Sequence, residues 1–437
     1  MNNFDLICEN LSVEGDDLYF AGMKTSELAK KYSTPLYLMD EDRIRERINT
    51  YKNALKDAFG DNAGILYASK ALSIRKIYEI AKDEGIGIDV VSSGEIYCAL
   101  SAGFNLENAF FHSNNKTDED IAYAIDNGIG YFVCDNSEEV MAINDIAGRK
   151  SVKQKILLRI TPGIDPHTYA AISTGKVDSK FGSAIETGQA LEITKLALSL
   201  PNISLFGFHC HIGSQVFDSE VYIAAAEVML TFIKEVKDKL GYTAKILDLG
   251  GGYGVRYTKE QPTIDIYESI QEVAEVILKK VSELEINVPK IFFEPGRSIV
   301  ADAGMTLYTV GTVKRITGYK NYVSVDGSMC DNIRYALYGS PYTLLPAEQM
   351  TKQRDMSCSV VGRCCESGDI IQENVNLPDI IKRGDIIACL TTGAYHYSMA
   401  SNYNRIPKPP IVMIKDKKDF LTVRRETVED LMKTDIQ

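Results

Sequence analysis

The stretch Ile65-Leu66-Tyr67-Ala68-Ser69-Lys70 is a short apolar run that ends on a lysine. Its length and composition are typical of a buried strand. Lysine is rarely buried without a partner, so Lys70 either reaches water from the strand end or offers its amine to a reaction there. The rest of the chain has to decide between these two interpretations.

Seven more apolar runs follow, and helical patterns lie between most of them. The eight runs cover residues 65–69, 88–91, 109–112, 131–134, 156–160, 205–210, 246–249 and 291–294. Continuous apolar strands that alternate with helices indicate a parallel sheet covered on both faces. Eight such units predict a closed (β/α)8 barrel, and an open doubly wound sheet is the alternative.

The sequence pattern changes after about residue 298. Short β-type runs at residues 307–313, 322–325, 358–361, 386–390 and 411–414 are separated by Gly, Asp and Pro. We therefore predict a barrel over residues 34–300 and a mainly-β domain made of residues 1–33 and 301–437. The N-terminal part should supply a strand at 17–20 and a helix near 26–31, and another helix is expected around 426–433.

Composition excludes several classes of protein. The chain of 437 residues has 60 acidic residues against 48 Lys and Arg, and its net charge of −12 argues against a nucleic-acid or anionic-membrane surface. Its nine cysteines lack CxxC spacing, which favours reduced thiols over structural zinc. Without a basic leader or a run of eighteen apolar residues, the chain is predicted to be a soluble, cytoplasmic protein.

Two loops with glycine follow the seventh and eighth predicted strands. They are Gly250-Gly251-Gly252 and Glu294-Pro295-Gly296-Arg297. In (β/α)8 enzymes these loops often hold a phosphate, and glycines let backbone N–H groups approach an anion. A plain tight turn is the alternative for the glycines, whereas the spacing fits a dinucleotide fingerprint poorly.

Three more side chains stand at predicted strand ends. Glu294 ends an apolar strand, so its carboxylate requires a cationic partner, either a protonated pyridine nitrogen or a barrel lysine or arginine. His209 and His211 flank Cys210 and could form half a metal site, but no further ligands are evident, and a ring stacked on a planar cofactor is the better interpretation. Together with Lys70 and the glycine loop, these residues predict a pyridoxal phosphate site without a metal.

Several motifs carry a resemblance to a known family. They are Tyr67-Ala68-Ser69-Lys70-Ala71, Gly87-Ile88-Asp89-Val90-Val91-Ser92-Ser93-Gly94-Glu95, His209-Cys210-His211-Ile212-Gly213-Ser214-Gln215, Leu249-Gly250-Gly251-Gly252, Glu294-Pro295-Gly296-Arg297, Cys365-Glu366-Ser367-Gly368-Asp369, Gly393-Ala394-Tyr395 and Ser398-Met399-Ala400-Ser401-Asn402-Tyr403-Asn404. With these motifs the chain resembles the fold-type-III pyridoxal phosphate-dependent decarboxylases over residues 34–410.

The resemblance implies roles for the cofactor-binding residues. Lys70 would attach the cofactor covalently, His211 would stack on its ring and Glu294 would pair with its pyridinium nitrogen. The phosphate would be bound by the residues of the two loops and by one tyrosine, namely Gly250, Gly251, Gly252, Pro295, Gly296, Arg297 and Tyr395. Alanine racemases share the barrel but place an arginine at the pyridine nitrogen, so Glu294 favours decarboxylation.

The resemblance also implies a proton donor and an assembly. Cys365 would deliver a proton from a second subunit, which implies a homodimer with shared active sites. The alternative interpretation is that the adjacent cysteines Cys364 and Cys365 are small residues of the core.

The resemblance also implies which residues bind the far end of the substrate, and these residues indicate what the substrate is. Arg297, Arg334 and Tyr338, with Tyr395, would bind a distal carboxylate, and Glu366 a distal ammonium. The implied reaction converts meso-2,6-diaminopimelate to L-lysine and CO2, the last step of lysine biosynthesis. A related decarboxylase, such as one acting on carboxynorspermidine, and a non-catalytic pyridoxal phosphate-binding protein are the alternatives.

The chain departs from the family pattern in two places. Arg363 stands where members carry proline before the cysteine motif, and residues 405–409 replace an Arg-Pro-Arg-Pro sequence. Neither change removes a residue with an implied role.

Overall fold

The computed structural model describes residue 4, residues 6–164 and residues 180–436. The strands in these ranges are β1 (Leu11–Glu14), β2 (Asp17–Phe20), β3 (Met23–Lys24), β4 (Leu36–Asp40), β5 (Ala63–Ala68), β6 (Gly87–Val90), β7 (Ala109–Phe111), β8 (Tyr131–Cys134), β9 (Gln154–Thr161), β10 (Ser183–Ala184), β11 (Ile203–His209), β12 (Ile246–Asp248), β13 (Lys290–Phe293), β14 (Gly304–Arg315), β15 (Asn321–Val325), β16 (Leu344–Pro346), β17 (Met356–Val361), β18 (Ile370–Leu377), β19 (Ile386–Leu390), β20 (Ile411–Lys415) and β21 (Lys418–Val423). The α-helices are α1 (Thr25–Tyr32), α2 (Glu41–Phe59), α3 (Arg75–Asp83), α4 (Ser93–Ser101), α5 (Asp118–Asp126), α6 (Ser137–Arg149), α7 (Gln189–Ser199), α8 (Ser219–Leu240), α9 (Ile266–Glu283), α10 (Arg297–Val300) and α11 (Arg334–Tyr338).

Eight parallel strands form a closed barrel. They are β5, β6, β7, β8, β9, β11, β12 and β13, and the ring is complete because β8 pairs with β9 and β13 pairs with β5. Each predicted run coincides with one of these strands, so the closed barrel is confirmed and the open sheet is excluded. Apolar side chains from five of the strands form a core cluster inside the ring, namely Leu66, Phe110, Val133, Leu157 and Ile246.

Strand β11 shows why a glycine is needed in the barrel wall. The register between β11 and β9 shifts at Leu205 and Gly207. A Cβ atom on Gly207 would lie 1.8 Å from the carbonyl oxygen of Ile246 on β12, a distance that no side chain tolerates. The glycine therefore lets β11 keep its place beside β12 despite the bulge.

A second, mainly-β sheet runs in the order β18-β17-β15-β14-β4-β20-β21, and β19 joins β14 to β16. Its two faces cover separate apolar clusters, one around Tyr308, Val323 and Val360, and one around Leu36, Leu307 and Val412. Strands β1, β2 and β3 form a small sheet of their own. The strand expected at 17–20 and the helix expected at 26–31 are β2 and α1.

The chain divides into two compact units whose boundaries differ from the predicted ones. The barrel unit is Arg47–Gly254 with Thr263–Ser298, and the β unit is Met1–Glu46 with Val255–Pro262 and Ile299–Gln437. Residues 34–46 were expected in the barrel, but β4 pairs with β14 and β20 and so belongs to the β unit. Residues 255–262 also join it, since Tyr257 packs edge-on against Tyr342 with ring centroids 5.3 Å apart.

The helix expected around residues 426–433 is wrong. That segment contains only a single 3₁₀ turn at Asp430–Met432. The Asp430 carboxylate accepts hydrogen bonds from the Thr427 N–H and from Arg424, so the chain folds back on itself there. Val428 and Met432 are 64% and 55% exposed, and without a buried apolar face a short helix is not stabilised.

All nine cysteines are free thiols in the structure. The sulfur atoms of Cys330 and Cys364 lie 3.6 Å apart, within hydrogen-bonding distance but not joined as a disulfide. Across the described ranges, the helices include none that is both long and apolar enough to cross a membrane.

Candidate active site

Lys70 lies at the carboxyl end of β5, within a single 3₁₀ turn formed by Ser69–Ala71. Ser69 and Ala71 are fully buried, whereas Lys70 between them is exposed. The turn therefore presents the amine beyond the end of the strand. Its charge acts on neighbouring groups, because it helps to lower the pKa of His211 and offsets part of the rise that burial causes in the pKa of Asp89.

His211 follows the end of β11. Burial holds the pKa of its imidazole well below the usual value of about 6.5, and the charges of Lys70 and Arg159 add to this effect. The ring is therefore neutral at physiological pH. A Cβ atom on Gly250 would lie 2.9 Å from Nδ1 of His211, so this glycine makes room for the ring.

The glycine loop after β12 combines close backbone approach with free donors. A Cβ on Gly251 would lie 2.1 Å from the carbonyl oxygen of Glu294, and one on Gly252 would lie 2.3 Å from that of Gly213. The Gly250 N–H donates to the Asp248 carboxylate at 2.9 Å and is unavailable for a ligand. Among the described residues no acceptor faces the N–H groups of Gly251 and Gly252. Two adjacent free donors suit an anion such as a phosphate.

Arg297 starts α10 just after the second loop. Its guanidinium is 7% exposed and donates to the Ser214 hydroxyl, at 2.9 Å from Nη2 and 3.3 Å from Nε. Pro295 and Gly296 beside it are buried. A Cβ on Gly296 would lie 2.9 Å from the Cβ of Ala68, so this loop packs directly against the end of β5.

Glu294 is buried and lies between two imidazoles. Its Oε1 is 2.6 Å from Nε2 of His112, and its Oε2 is 3.1 Å from Nε2 of His209. Burial alone would raise the pKa of Glu294, but the two histidines hold it well below its ordinary value. Glu294 is therefore ionised, and it has the cationic or hydrogen-bonding partners that its position required.

The pKa values of the groups around Glu294 are shifted in the directions that favour their neutral forms. Burial, together with the charge of Glu294, raises the pKa of Asp248 well above its ordinary value, and burial likewise raises that of Asp89. Burial also lowers the pKa of His209 to about 4, so its ring is neutral at pH 7. Of the three buried carboxyl groups, Glu294 is the one whose pKa the site lowers.

His112, His209 and Glu294 also have the composition of a metal site, and their ligand atoms all lie within 4.8 Å of one another. Ligands bound to one Zn²⁺ at about 2.0–2.2 Å are separated by more than about 3 Å. The 2.6 Å between His112 and Glu294 is shorter than this and is a direct contact between the two side chains. We therefore treat the three residues as a group in mutual contact and not as metal ligands.

Sequence reasoning assigned no role to His112, Asp89 or Asp248. Each is a polar residue within or directly after an apolar strand: His112 follows β7, Asp89 lies in β6 and Asp248 ends β12. That position is the signal that could have identified them, because buried polar groups require partners. Their convergence on Glu294 depends on strand order, which the sequence alone does not display.

Arg334 is a buried cation of the β unit, with 6% exposure. Its Nε donates to the Tyr342 hydroxyl at 2.7 Å, and its guanidinium lies 5.5–5.8 Å from the ring centroids of Tyr257, Tyr338 and Tyr395. Burial opposes the charge, but the neighbouring phenol groups raise the pKa of Arg334 above its ordinary value. The structure thus brings together Arg334, Tyr338 and Tyr395, three residues that the resemblance implied.

The cysteine motif lies on an exposed loop of the β unit. Cys365 and Glu366 are both exposed, and the Cys365 N–H donates to the Asn404 side chain at 2.8 Å. Asp369 fixes the base of the loop by accepting hydrogen bonds from the N–H groups of Cys364 and Met329. Cys364 is half-buried, so the two adjacent cysteines differ in access to solvent.

The barrel unit has the groups that pyridoxal phosphate requires. A strand-end amine, two free backbone donors and a buried ionised carboxylate match the aldehyde, the phosphate and the protonated ring nitrogen of that cofactor. Residues 41–301 match the family model described as "Pyridoxal-dependent decarboxylase, pyridoxal binding domain". Fold and site together define a pyridoxal phosphate-dependent decarboxylase.

Comparison with individual relatives shows which decarboxylases within this family the chain is similar to. The chain is 43% identical to diaminopimelate decarboxylase of Bacillus subtilis (strain 168), over 96% of this chain and 95% of the relative. It is 44% identical to the Bacillus methanolicus protein of the same name, over 94% of this chain and 95% of the relative. A crystal structure of diaminopimelate decarboxylase from M. jannaschii in co-complex with L-lysine has a TM-score of 0.90 at 32% identity, covering 99% of both chains. The chain belongs to the diaminopimelate decarboxylase family.

Proposed function

We propose that this protein decarboxylates meso-2,6-diaminopimelate to L-lysine and CO2 in the cytoplasm, as the last step of lysine biosynthesis. The observation that carries the chemistry is the ionised Glu294 held between two imidazoles. Loss of CO2 leaves electrons that must be stabilised, and pyridoxal phosphate accepts them best when its ring nitrogen is protonated. A buried anion beside that nitrogen favours its protonated form.

The chain's own residues divide the remaining tasks. Lys70 holds the cofactor covalently, and the N–H groups of Gly251 and Gly252 bind its phosphate, with Pro295, Gly296, Arg297 and Tyr395 completing that site. The neutral ring of His211 would pack on the cofactor without adding a positive charge that disfavours protonation of the ring nitrogen. Burial of Glu294 keeps water from weakening its interaction with the ring nitrogen.

Substrate choice rests on the far end of the amino acid. Arg297, Arg334 and Tyr338 bind the distal carboxylate, and Glu366 binds the distal ammonium. Support comes from the hydrogen bonds and aromatic rings that hold Arg334 in place, because a fixed guanidinium recognises a carboxylate in one geometry. A buried cation left without its carboxylate is unfavourable, so substrates lacking that group are rejected.

The test is a panel of substrates. The protein reconstituted with pyridoxal phosphate is given meso-diaminopimelate, L-lysine, L-ornithine or carboxynorspermidine, and CO2 release is measured. We expect kcat/KM for meso-diaminopimelate to exceed the others by about 10⁴. Faster turnover of carboxynorspermidine would assign the protein to that related decarboxylase, and cofactor binding without any CO2 release would indicate a non-catalytic binding protein.

We further propose that the protein is a homodimer in which Cys365 and Glu366 serve the partner's active site, with Cys365 as proton donor. Exposure of both residues on one loop supports this assembly. Lys70→Ala and Cys365→Ala each remove one part of a shared site. After the two inactive variants are mixed and allowed to exchange subunits, about a quarter of the wild-type activity should return. No recovery despite proven subunit exchange would exclude shared sites, and full activity of Cys365→Ala alone would exclude the cysteine as donor.

A further inference from the structure

Glu294, His112 and His209 are in mutual contact, and His112 is the member of the three that has no separate role in the proposed function. It follows β7, and its N–H donates to the carbonyl oxygen of Val90 at 2.8 Å, which fixes its backbone. Its side chain is almost completely buried, and Nε2 lies closer to Glu294 than any nitrogen of His209 does. The imidazole rings of His112 and His209 meet edge-to-face, 4.8 Å apart.

The contacts define which atoms carry protons. An ionised carboxylate only accepts hydrogen bonds, so the Nε2 atoms that lie 2.6 Å (His112) and 3.1 Å (His209) from its oxygens must each carry a hydrogen. The imidazole of His112 contacts Oε1 and the imidazole of His209 contacts Oε2. Together the two contacts fix the plane of the Glu294 carboxylate. A carboxylate has about four lone-pair positions, so two remain for a donor on the cofactor.

We propose that His112 is a positioning residue for the cofactor ring: by holding Oε1 of Glu294, it keeps that carboxylate ionised and oriented towards the ring nitrogen. His209 performs the matching task at Oε2. The inference rests on the pyridoxal phosphate chemistry of the family and concerns cofactor binding, so it can fail while the proposed substrate stands. His112 would act only through Glu294 and would touch neither the substrate nor the reacting atoms.

The three strands involved make the arrangement rigid. His112 follows β7, His209 ends β11 and Glu294 follows β13, so the group spans the barrel interior. The Glu294 N–H donates to the Gly250 carbonyl at 2.9 Å, which ties the carboxylate to the glycine loop as well. A donor lost at position 112 is therefore not replaced by movement of a neighbouring strand.

The experiment compares two cofactors on the apoprotein. One is pyridoxal phosphate, and the other is deazapyridoxal phosphate, in which a C–H group replaces the ring nitrogen. His112→Phe keeps a ring of similar size but removes the donor to Glu294. We expect this variant to bind pyridoxal phosphate about 10-fold or more weakly, the effect of losing one hydrogen bond to a charged group, while its affinity for the deaza analogue is unchanged. Dissociation constants from absorbance titration supply the measurement.

Conservative and control variants separate positioning from mere packing. His112→Gln places an amide N–H near the original Nε2 and should restore the affinity for pyridoxal phosphate, whereas the shorter His112→Asn should not. Phe111→Leu alters the adjacent buried residue of β7 and should leave the ratio of the two affinities at its wild-type value. If His112→Phe does not fold, the Gln and Asn variants still provide the comparison. Equal weakening for both cofactors, or equal behaviour of Gln and Asn, would overturn the proposal.

Discussion

The barrel unit and the β unit hold the residues proposed to act on cofactor and substrate in different ways. In the barrel unit Glu294, His112 and His209 are buried and contact one another at strand ends. In the β unit Cys365 and Glu366 are exposed on a loop, whereas Arg334 is buried among tyrosine rings. Strands keep charged groups in fixed mutual geometry, whereas loops present groups to a ligand. We infer that the barrel unit determines whether chemistry occurs and that the β unit contributes most to the choice of substrate.

The largest expected effect comes from removing the barrel amine. Lys70→Ala should lower CO2 release from meso-diaminopimelate by about 10⁴-fold, because no other group replaces a covalent anchor that also moves protons. Borohydride should fix the cofactor onto the wild-type chain and not onto the variant. Lys56→Ala, at an exposed lysine of α2, is the control and should remain fully active. Substantial activity of Lys70→Ala would break the assignment of chemistry to the barrel unit.

Arg334→Met should affect substrate choice instead. We expect kcat/KM for meso-diaminopimelate to fall about 10²- to 10³-fold, since a buried carboxylate–arginine pair loses one partner. The absorption spectrum of the bound cofactor should not change. Arg383→Met removes an exposed guanidinium of the same unit and should leave kinetics unaltered. A changed cofactor spectrum in Arg334→Met would contradict the division between the two units.

The barrel strands could be predicted from the sequence more accurately than the boundary between the two units. All eight barrel strands were located because buried parallel strands are continuous apolar runs. The boundary at residue 34 was wrong because β4 pairs with strands from the far end of the chain, and such pairing leaves no local signal. Lys70 and Glu294 stood out as charges after apolar runs, whereas His112 needed the order of strands around the barrel to gain a meaning.

The pH dependence of stability should have opposite signs for His209 of the barrel unit and Asp331 of the β unit. His209 has a pKa of about 4 in the fold against about 6.5 unfolded, so protonation favours the unfolded chain and stability falls as pH drops from 6.5 towards 4. Buried Asp331 has its pKa raised to about 7 from 3.8, so its contribution is full below pH 4 and is lost as pH rises to 7. Each shift corresponds to about 3 kcal/mol or somewhat more.

The measurement is the free energy of unfolding by denaturant between pH 4 and pH 8. His209→Gln should flatten the loss of stability at acidic pH, and Asp331→Asn should flatten the loss towards neutral pH. His211, whose pKa is also lowered, titrates in both wild type and variants. The His209→Gln difference therefore reports His209 together with Glu294, whose pKa it helps to lower, and the Asp331→Asn difference reports Asp331. Identical pH profiles for wild type and either variant would contradict the corresponding assignment.

The smallest effect concerns Arg363, the position where the family resemblance implies a proline. Its N–H donates to the Gly327 carbonyl at 3.1 Å, a hydrogen bond that proline cannot form. Arg363→Pro should therefore lower the free energy of unfolding by about 1 kcal/mol, measured by denaturant titration. Arg363→Ala keeps the N–H and is the matched control. A more stable proline variant would show that the loop gains more from a stiff backbone than from this bond.

The place of β4 has a consequence for synthesis on the ribosome. Residues 36–40 emerge early, yet their hydrogen-bonding partners in β14 and β20 are made only after the whole barrel. The barrel strands can pair as they emerge, in chain order, whereas the nascent β4 must wait with both edges open. Four of its five residues are apolar, so β4 is exposed to aggregation and to chaperone capture before release.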